Sequence, residues 1–255
     1  MTPAPIPLTC PARTRTPTAS SDASLAVLVF VALATSLFFH VFPGVDVSVS
    51  RWFHDAADGF VLAESPTLRA LRSSSTWVMG GALLLTLFHL IGHALAGQIP
   101  GRAARRSLWL LSCLVVGPGL LVNGLLKEHW GRPRPNGTDI FGGEAPFQKV
   151  WVISEWCERN CSFVSGEASS AAWLVAAALI APRRVRTAAT ALAAIYAFAL
   201  SINRVAFGGH WLSDVLLAWL LSALVFTALA RLILAPGEDR AWRPLALRSS
   251  EGLRP

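Results

Sequence analysis

The sequence predicts an all-α fold, an integral membrane bundle of six transmembrane helices. Three observations lead there. The 255-residue chain is 53% hydrophobic and 15% charged, with a mean hydropathy of +0.50, whereas soluble domains carry about 25% charged residues. The missing charge is local, because six long stretches have almost none. The basic residues that produce the net charge of +7 sit in short clusters between those stretches. That placement reads as membrane topology and not as a nucleic-acid surface, so no nucleic-acid partner is expected.

Residues 1–23 are rich in Thr, Pro, Ser and Ala and read as a disordered cytoplasmic tail. The membrane domain spans 24–234, and 235–255 form a basic cytoplasmic tail. The first apolar run, 24–43, exceeds the ~7–15-residue core of a signal peptide and has no convincing cleavage site, so it reads as an uncleaved span. The other runs are 75–97, 107–126, 168–182, 188–206 and 211–234. The fourth is short and borrows a turn from the Ser162–Glu167 segment before it. Pro118 lies within Gly117-Pro118-Gly119 and predicts a kink in the third run.

Six spans put both ends on one side. The segments on that side hold 13 basic and 4 acidic residues, against 9 and 11 on the other. The positive-inside rule then places both termini in the cytoplasm, in an inner (plasma) membrane. Two segments on the outer side are too long for turns. Residues 44–74 mix apolar and charged residues and are expected along the interface. Residues 127–167 gather most of the polar chemistry, and a long loop of that content points to function.

Three constellations stand out. Lys127-Glu-His-Trp-Gly-Arg132-Pro-Arg134-Pro135 follows the third span, and Ser162-Phe-Val-Ser165-Gly166-Glu167 precedes the fourth. Asn203-Arg204 through His210 to Asp214 bridges the fifth and sixth. Each alone has an ordinary explanation: an interfacial lysine, a helix cap, a histidine at a span end. The charge-derived topology nevertheless brings all three to one membrane face.

Together they suit phosphoryl chemistry. Lys127, Arg134 and Arg204 can neutralise a transferring phosphoryl group, the guanidinium forks binding its oxygens in pairs. Ser165 and Gly166 would open the fourth helix, whose N–H groups make an anion site. His210 and Asp214 are four apart and would share a helix face. The aspartate can then accept one ring proton while the other nitrogen attacks phosphorus. The set requires no metal and no cofactor.

These residues resemble the type 2 phosphatidic acid phosphatase superfamily of membrane lipid phosphatases. That family shows a lysine seven residues ahead of Arg-Pro, then Pro-Ser-Gly-His, then Ser-Arg with a histidine six residues on and an aspartate four further. Lys127, Arg134 and Pro135 match the first part; Arg204, His210 and Asp214 match the third, with Asn203 in place of serine. The resemblance covers about 70–235. It implies an active site in the outer loops and a lipid phosphate substrate reached from the bilayer. Lys127, Arg134, Ser165, Gly166 and Arg204 would cradle the phosphate, His210 would form a phosphohistidine, and Asp214 would orient it.

The middle motif departs from the family: it reads Val-Ser-Gly-Glu, with Glu167 where the family has its acid/base histidine. A carboxyl can serve as both acid and base, so Glu167 is the expected catalytic partner, with His129 an alternative proton donor. The glutamate beside Asn160-Cys161-Ser162-Phe163 is similar to a bacterial branch with lipid A phosphatase-like members. Candidate substrates are lipid A, undecaprenyl pyrophosphate, phosphatidylglycerol phosphate and phosphatidate. A lipid phosphotransferase using the same site, a transporter and a non-catalytic lipid binder are the competing readings. Cys157 and Cys161 either form a disulfide bracing the loop or remain thiols. Trp130, Trp151 and Trp156 are candidate interfacial anchors.

Overall fold

The structure, a computed structural model, describes residues 19–99 and 101–234; both predicted tails lie largely or wholly outside them. The described residues form seven helices, five of them long and apolar enough to cross a membrane. These five are α1 (Ala19–Val41), α3 (Pro66–Leu95), α4 (Arg102–His129), α6 (Arg183–Ala206) and α7 (Leu212–Ile233). Between them lie α2 (Gly44–Arg51) and α5 (Gly166–Leu179). α5 has 14 residues, about 21 Å of helix at 1.5 Å per residue, short of the ~20 residues of a full span. The expectation of six spans therefore reduces here to five plus this shorter helix.

Segment 44–74 also differs from its expected form. Only its first part is a short helix and loop; from Pro66 the chain is already α3, nine residues before the predicted start at 75. Proline at the first helical position makes that start favourable, since its missing N–H is not needed there. The gain in length matters, because the extra turns carry Arg69 and Arg72 beyond the apolar run. In α4 the break expected at Pro118 takes the form of a π-helical stretch, Val115–Leu126. Proline cannot donate the α-helical bond and its ring crowds the carbonyl four residues back. The wider winding accommodates both, and Asn123 Nδ2 donates to the Pro118 carbonyl at 2.7 Å.

Large apolar side chains such as Phe30, Leu33, Leu84, Phe88, Leu192 and Phe198 are exposed on α1, α3 and α6, as lipid-facing surfaces are. Inside lie three apolar clusters, two of them large. One joins Trp109 and Cys113 of α4, Trp173 of α5 and Phe226 of α7. The other lies under the polar end and joins Val122, Leu126, Val205 and Val215 to Val150, Phe163 and Val164 of the long loop. Burial of those three loop residues orders a segment that would otherwise be too long to hold one shape. Trp130 and Trp151 pack on Phe163, with ring centroids 5.5 and 4.7 Å away. They are partly buried and pack against the loop core, whereas Trp156 is exposed.

Candidate active site

The three sequence constellations converge at one end of the bundle through bonds between their backbones. The loop before α5 pairs with the chain after α4: Cys161 N–H donates to the Lys127 carbonyl (3.1 Å) and Ser162 N–H to that of Arg132 (2.8 Å). The turn between α6 and α7 joins them, with Asn136 N–H on the Gly208 carbonyl (3.0 Å) and Trp211 Nε1 on that of Pro133 (3.0 Å). Two glycines permit this closeness. A Cβ on Gly166 would lie 2.5 Å from Asn123 Oδ1, and one on Gly209 would lie 2.3 Å from Arg204 Nη2.

His210 is buried in the turn ahead of α7. Its Nδ1 is 2.7 Å from the Ser162 carbonyl oxygen and 3.9 Å from Asp214 Oδ2. The expected direct bond to Asp214 is thus replaced. A carbonyl can only accept, so Nδ1 carries the proton and Nε2 keeps its lone pair. The reason lies in the chain path: His210 precedes the helix instead of sharing a face of it with Asp214. Asp214 sits in the first turn of α7, where Oδ2 accepts from Trp211 N–H (2.9 Å) and from the Ser162 hydroxyl. The aspartate therefore acts on His210 through Ser162.

Below this lies a buried charge network. Arg132, fully enclosed, donates through Nη1 to Asp214 Oδ1 (2.5 Å) and Ser213 Oγ (2.9 Å), and through Nη2 to Asp46 Oδ2 (2.9 Å). Its Nε donates to the Gln148 carbonyl at 3.0 Å. Asp46, from α2, also accepts from Ser213 N–H (2.9 Å) and Oγ (2.6 Å). Burial pushes the Asp46 carboxyl above its usual range and Arg132 pulls it back.

Toward solvent the site is basic. Lys127 Nζ donates to Asn160 Oδ1 (2.9 Å) and Arg134 Nη2 to the Asn160 carbonyl (2.8 Å), so one residue sets the spacing of two cations. A disulfide joins Cys157 to Cys161 and closes the loop that presents Asn160. Ser165 caps α5, its Oγ accepting from Ala168 N–H at 3.3 Å. Glu167 lies between two guanidinium groups: Arg72 Nε is 3.1 Å from Oε1 and Arg204 Nε is 3.3 Å from Oε2. His129 is exposed. Among the described residues no cluster of acidic, histidine or cysteine side chains is suited to a metal ion.

Burial lowers the His210 imidazole to about 4, with Asp214 opposing the effect and Arg204 and Lys127 adding to it. The ring is neutral at ordinary pH, as a nucleophile must be. The folded value lies below the ordinary 6.5, so between the two the unfolded chain binds more protons. The associated stability, on the order of 3 kcal/mol, is present above about pH 6.5 and is lost as pH falls toward about 4. Melting temperatures of the detergent-solubilised protein and of His210→Gln should therefore diverge above that window and draw together on acidification. Parallel curves would contradict the buried neutral ring.

Residues 106–237 match the family model for the PAP2 superfamily, just over half of the chain. The chain belongs to the PAP2 superfamily. Three relatives cover most of this PAP2 protein, each named lipid A 4'-phosphatase. That of Rhizobium leguminosarum is 37% identical over 76% of this chain and 89% of its own. The Rhizobium etli protein is 36% identical over 76% and 81%, and that of Francisella tularensis subsp. novicida 32% over 74% and 90%. The crystal structure of a transmembrane PAP2 type phosphatidylglycerolphosphate phosphatase from Bacillus subtilis shares the fold. It has a TM-score of 0.54 and 23% identity, over 82% of this chain and 95% of that one. The PAP2 protein is accordingly a multi-pass membrane lipid phosphatase.

Every residue expected at the site of this PAP2 protein lies at this end of the bundle. Two contributors escaped sequence reading, Asp46 and Arg72, and Asn160 and Ser162 were singled out there without these contacts. Arg132 stood in the first motif without a role. Its position directly before Pro133 and two residues ahead of Arg134 was the one signal available.

Proposed function

We propose that this protein removes the 4'-phosphate of lipid A through a phosphohistidine formed on His210. The observation that carries the reaction is the Nδ1 bond to the Ser162 carbonyl, which leaves Nε2 unprotonated among Lys127, Arg134 and Arg204. Nε2 attacks phosphorus, the bond to the sugar oxygen breaks, and Glu167 supplies the proton that oxygen needs. Water then attacks the phosphohistidine, Glu167 takes its proton, and inorganic phosphate leaves. The phosphorylated ring is cationic, and the Ser162 carbonyl and Asp214 offset that charge. Lys127, Arg134, Arg204, the Ser165 hydroxyl and the Gly166 N–H hold the phosphoryl oxygens, while the Ser165 N–H donates to the Asp214 carbonyl at 3.2 Å. No step requires a metal. The choice of lipid A rests on the three relatives, which carry that name and align along 81–90% of their length.

The topology proposed with this is six crossings. α5 begins at the site and ends four residues before α6, and α6 returns to the site at Arg204, 3.3 Å from Glu167. α5 must therefore carry the chain to the far end despite its length. The charge bias then places both termini in the cytoplasm and the site on the outer face of the membrane.

The test is phosphate release by purified protein from lipid A, undecaprenyl pyrophosphate, phosphatidylglycerol phosphate and phosphatidate, with chelator present and His210→Ala in parallel. The expected result is preferential release from lipid A, loss of the 4'-phosphate in the product, insensitivity to chelator and no activity in the variant. A glycerophospholipid as best substrate, or release by His210→Ala, would overturn the proposal.

A further inference from the structure

Beside the nucleophile lies a cavity of about 420 Å³ whose lining includes Glu64, Arg69, Arg72, Arg134, Asn136 and Arg204. Arg69 is paired with Glu64. Lys127, Arg72, Arg134 and Arg204 face one carboxylate, Glu167, which leaves an excess of positive charge for a phosphate dianion. Arg72 is 49% exposed at the rim, and Glu167 is 27% exposed below it. Arg204 is buried, and its Nε, although 3.3 Å from Glu167 Oε2, makes no hydrogen bond. A buried donor is thus held ready for an acceptor with better geometry.

Arg72 belongs to the turns of α3 that precede its apolar run, outside the 106–237 family match. Those turns are fixed to α6. Asn203 Nδ2, at the position that departs from the family pattern, donates to the Leu68 carbonyl at 2.9 Å. Ser74 Oγ and the Tyr196 hydroxyl are 2.7 Å apart. The Arg72 backbone is therefore docked against the site, and only its long side chain is free to move.

We infer that Arg72 is a substrate-exchanged clamp, held by Glu167 in the resting protein and passed to a phosphate oxygen of the headgroup when substrate binds. The inference rests on the phosphatase reading above and deepens it. While Arg72 and Arg204 flank Glu167, neither of its carboxyl oxygens is open to a leaving group. Drawing Arg72 away opens Oε1, which takes a proton from solvent water and passes it to the oxygen that leaves. A phosphate dianion offers a guanidinium more charge and a matching pair of oxygens. Binding of the substrate thereby releases its own acid catalyst. Arg72 then contacts the headgroup and belongs with Lys127, Arg134 and Arg204 as a phosphate-binding residue.

The experiment compares wild type, Arg72→Gln and Arg72→Lys in two assays. One reads binding of inorganic phosphate from the concentration dependence of the melting temperature, and the other reads kcat and KM on lipid A. Arg72→Gln should weaken phosphate binding about tenfold and raise KM by a similar factor, the cost of one charge-assisted bond. Arg72→Lys should recover part of both. Unchanged phosphate binding with unchanged KM would overturn the inference. So would a fall in kcat alone, which would make Arg72 a positioning residue for Glu167. Wild-type protein that binds phosphate through Arg72 but releases none from lipid A would overturn the lipid A reading and leave Arg72 as an anion ligand.

Discussion

Arg132→Met is expected to destabilise the protein by about 3–5 kcal/mol and to abolish turnover. Arg132 has no solvent exposure, and neither Asp46 nor Asp214 has any. Its guanidinium is the cation shared by those two carboxylates. Methionine fills similar space between Phe147 and Trp211, on which the guanidinium packs at 6.0 and 5.5 Å, but leaves two buried anions facing each other. The loss follows from stranding charge and not from lost packing. It also reaches His210, the proposed nucleophile, because Asp214 holds the Ser162 hydroxyl and the Ser162 carbonyl holds His210. Thermal unfolding in detergent is the direct measurement. Arg132→Lys keeps the charge but cannot span both carboxylates, and should lose less stability. Arg132→Met combined with Asp46→Asn should recover part of the single-variant loss, since one stranded charge is removed. A single variant within ~0.5 kcal/mol of wild type would refute the network.

The second large effect is on rate. Glu167→Gln should lower kcat on lipid A by about 10²–10⁴-fold, the usual worth of a positioned acid/base group. Glutamine keeps the size of the side chain and its one carbonyl oxygen can still accept from Arg72, so the fold and phosphate cradle remain. It can neither donate a proton to the sugar oxygen nor take one from water. On a phosphate ester whose leaving group needs no proton, the first step should survive while the second stays slow. Acid-labile phosphohistidine should then accumulate in the variant and not in wild type. Near-normal turnover in Glu167→Gln would remove the carboxylate from the mechanism and turn attention to another donor.

Much of this was legible in the chain. Apolar content is a local property, so the five long helices stand where hydropathy placed them, and errors are confined to their ends. The start of α3 was misplaced because Pro66–Ser74 is polar; it is helical through its proline start and its docking on α6, not through apolarity. α5 was the least secure element for a related reason. Its small residues (Ala168, Ser169, Ala171, Ala172, Ala176) are buried against other helices and not against lipid, which frees it from the length that a lipid-exposed span requires. The π-helical form of α4 around Pro118 could be anticipated only as a break.

The site divides in the same way. The sequence by itself singled out the side chains that the structure gathers at one end of the bundle: Lys127, Arg134, Ser165, Gly166, Glu167, Arg204, His210 and Asp214 stand out by residue type and short spacing. Only the tertiary structure decided how they are wired. The acceptor for His210 is a main-chain carbonyl 48 positions away, and a carbonyl belongs to every residue alike, so no letter in the sequence marks it. Asp46 reaches Arg132 across 86 positions, and Arg72 reaches Glu167 across 95. The Asp46–Arg132 pair exists because packed elements bring remote charges together in a low-dielectric interior where each must find a partner, whereas Arg72 meets Glu167 at the rim. That requirement is a property of the folded interior and leaves no periodic mark along the chain.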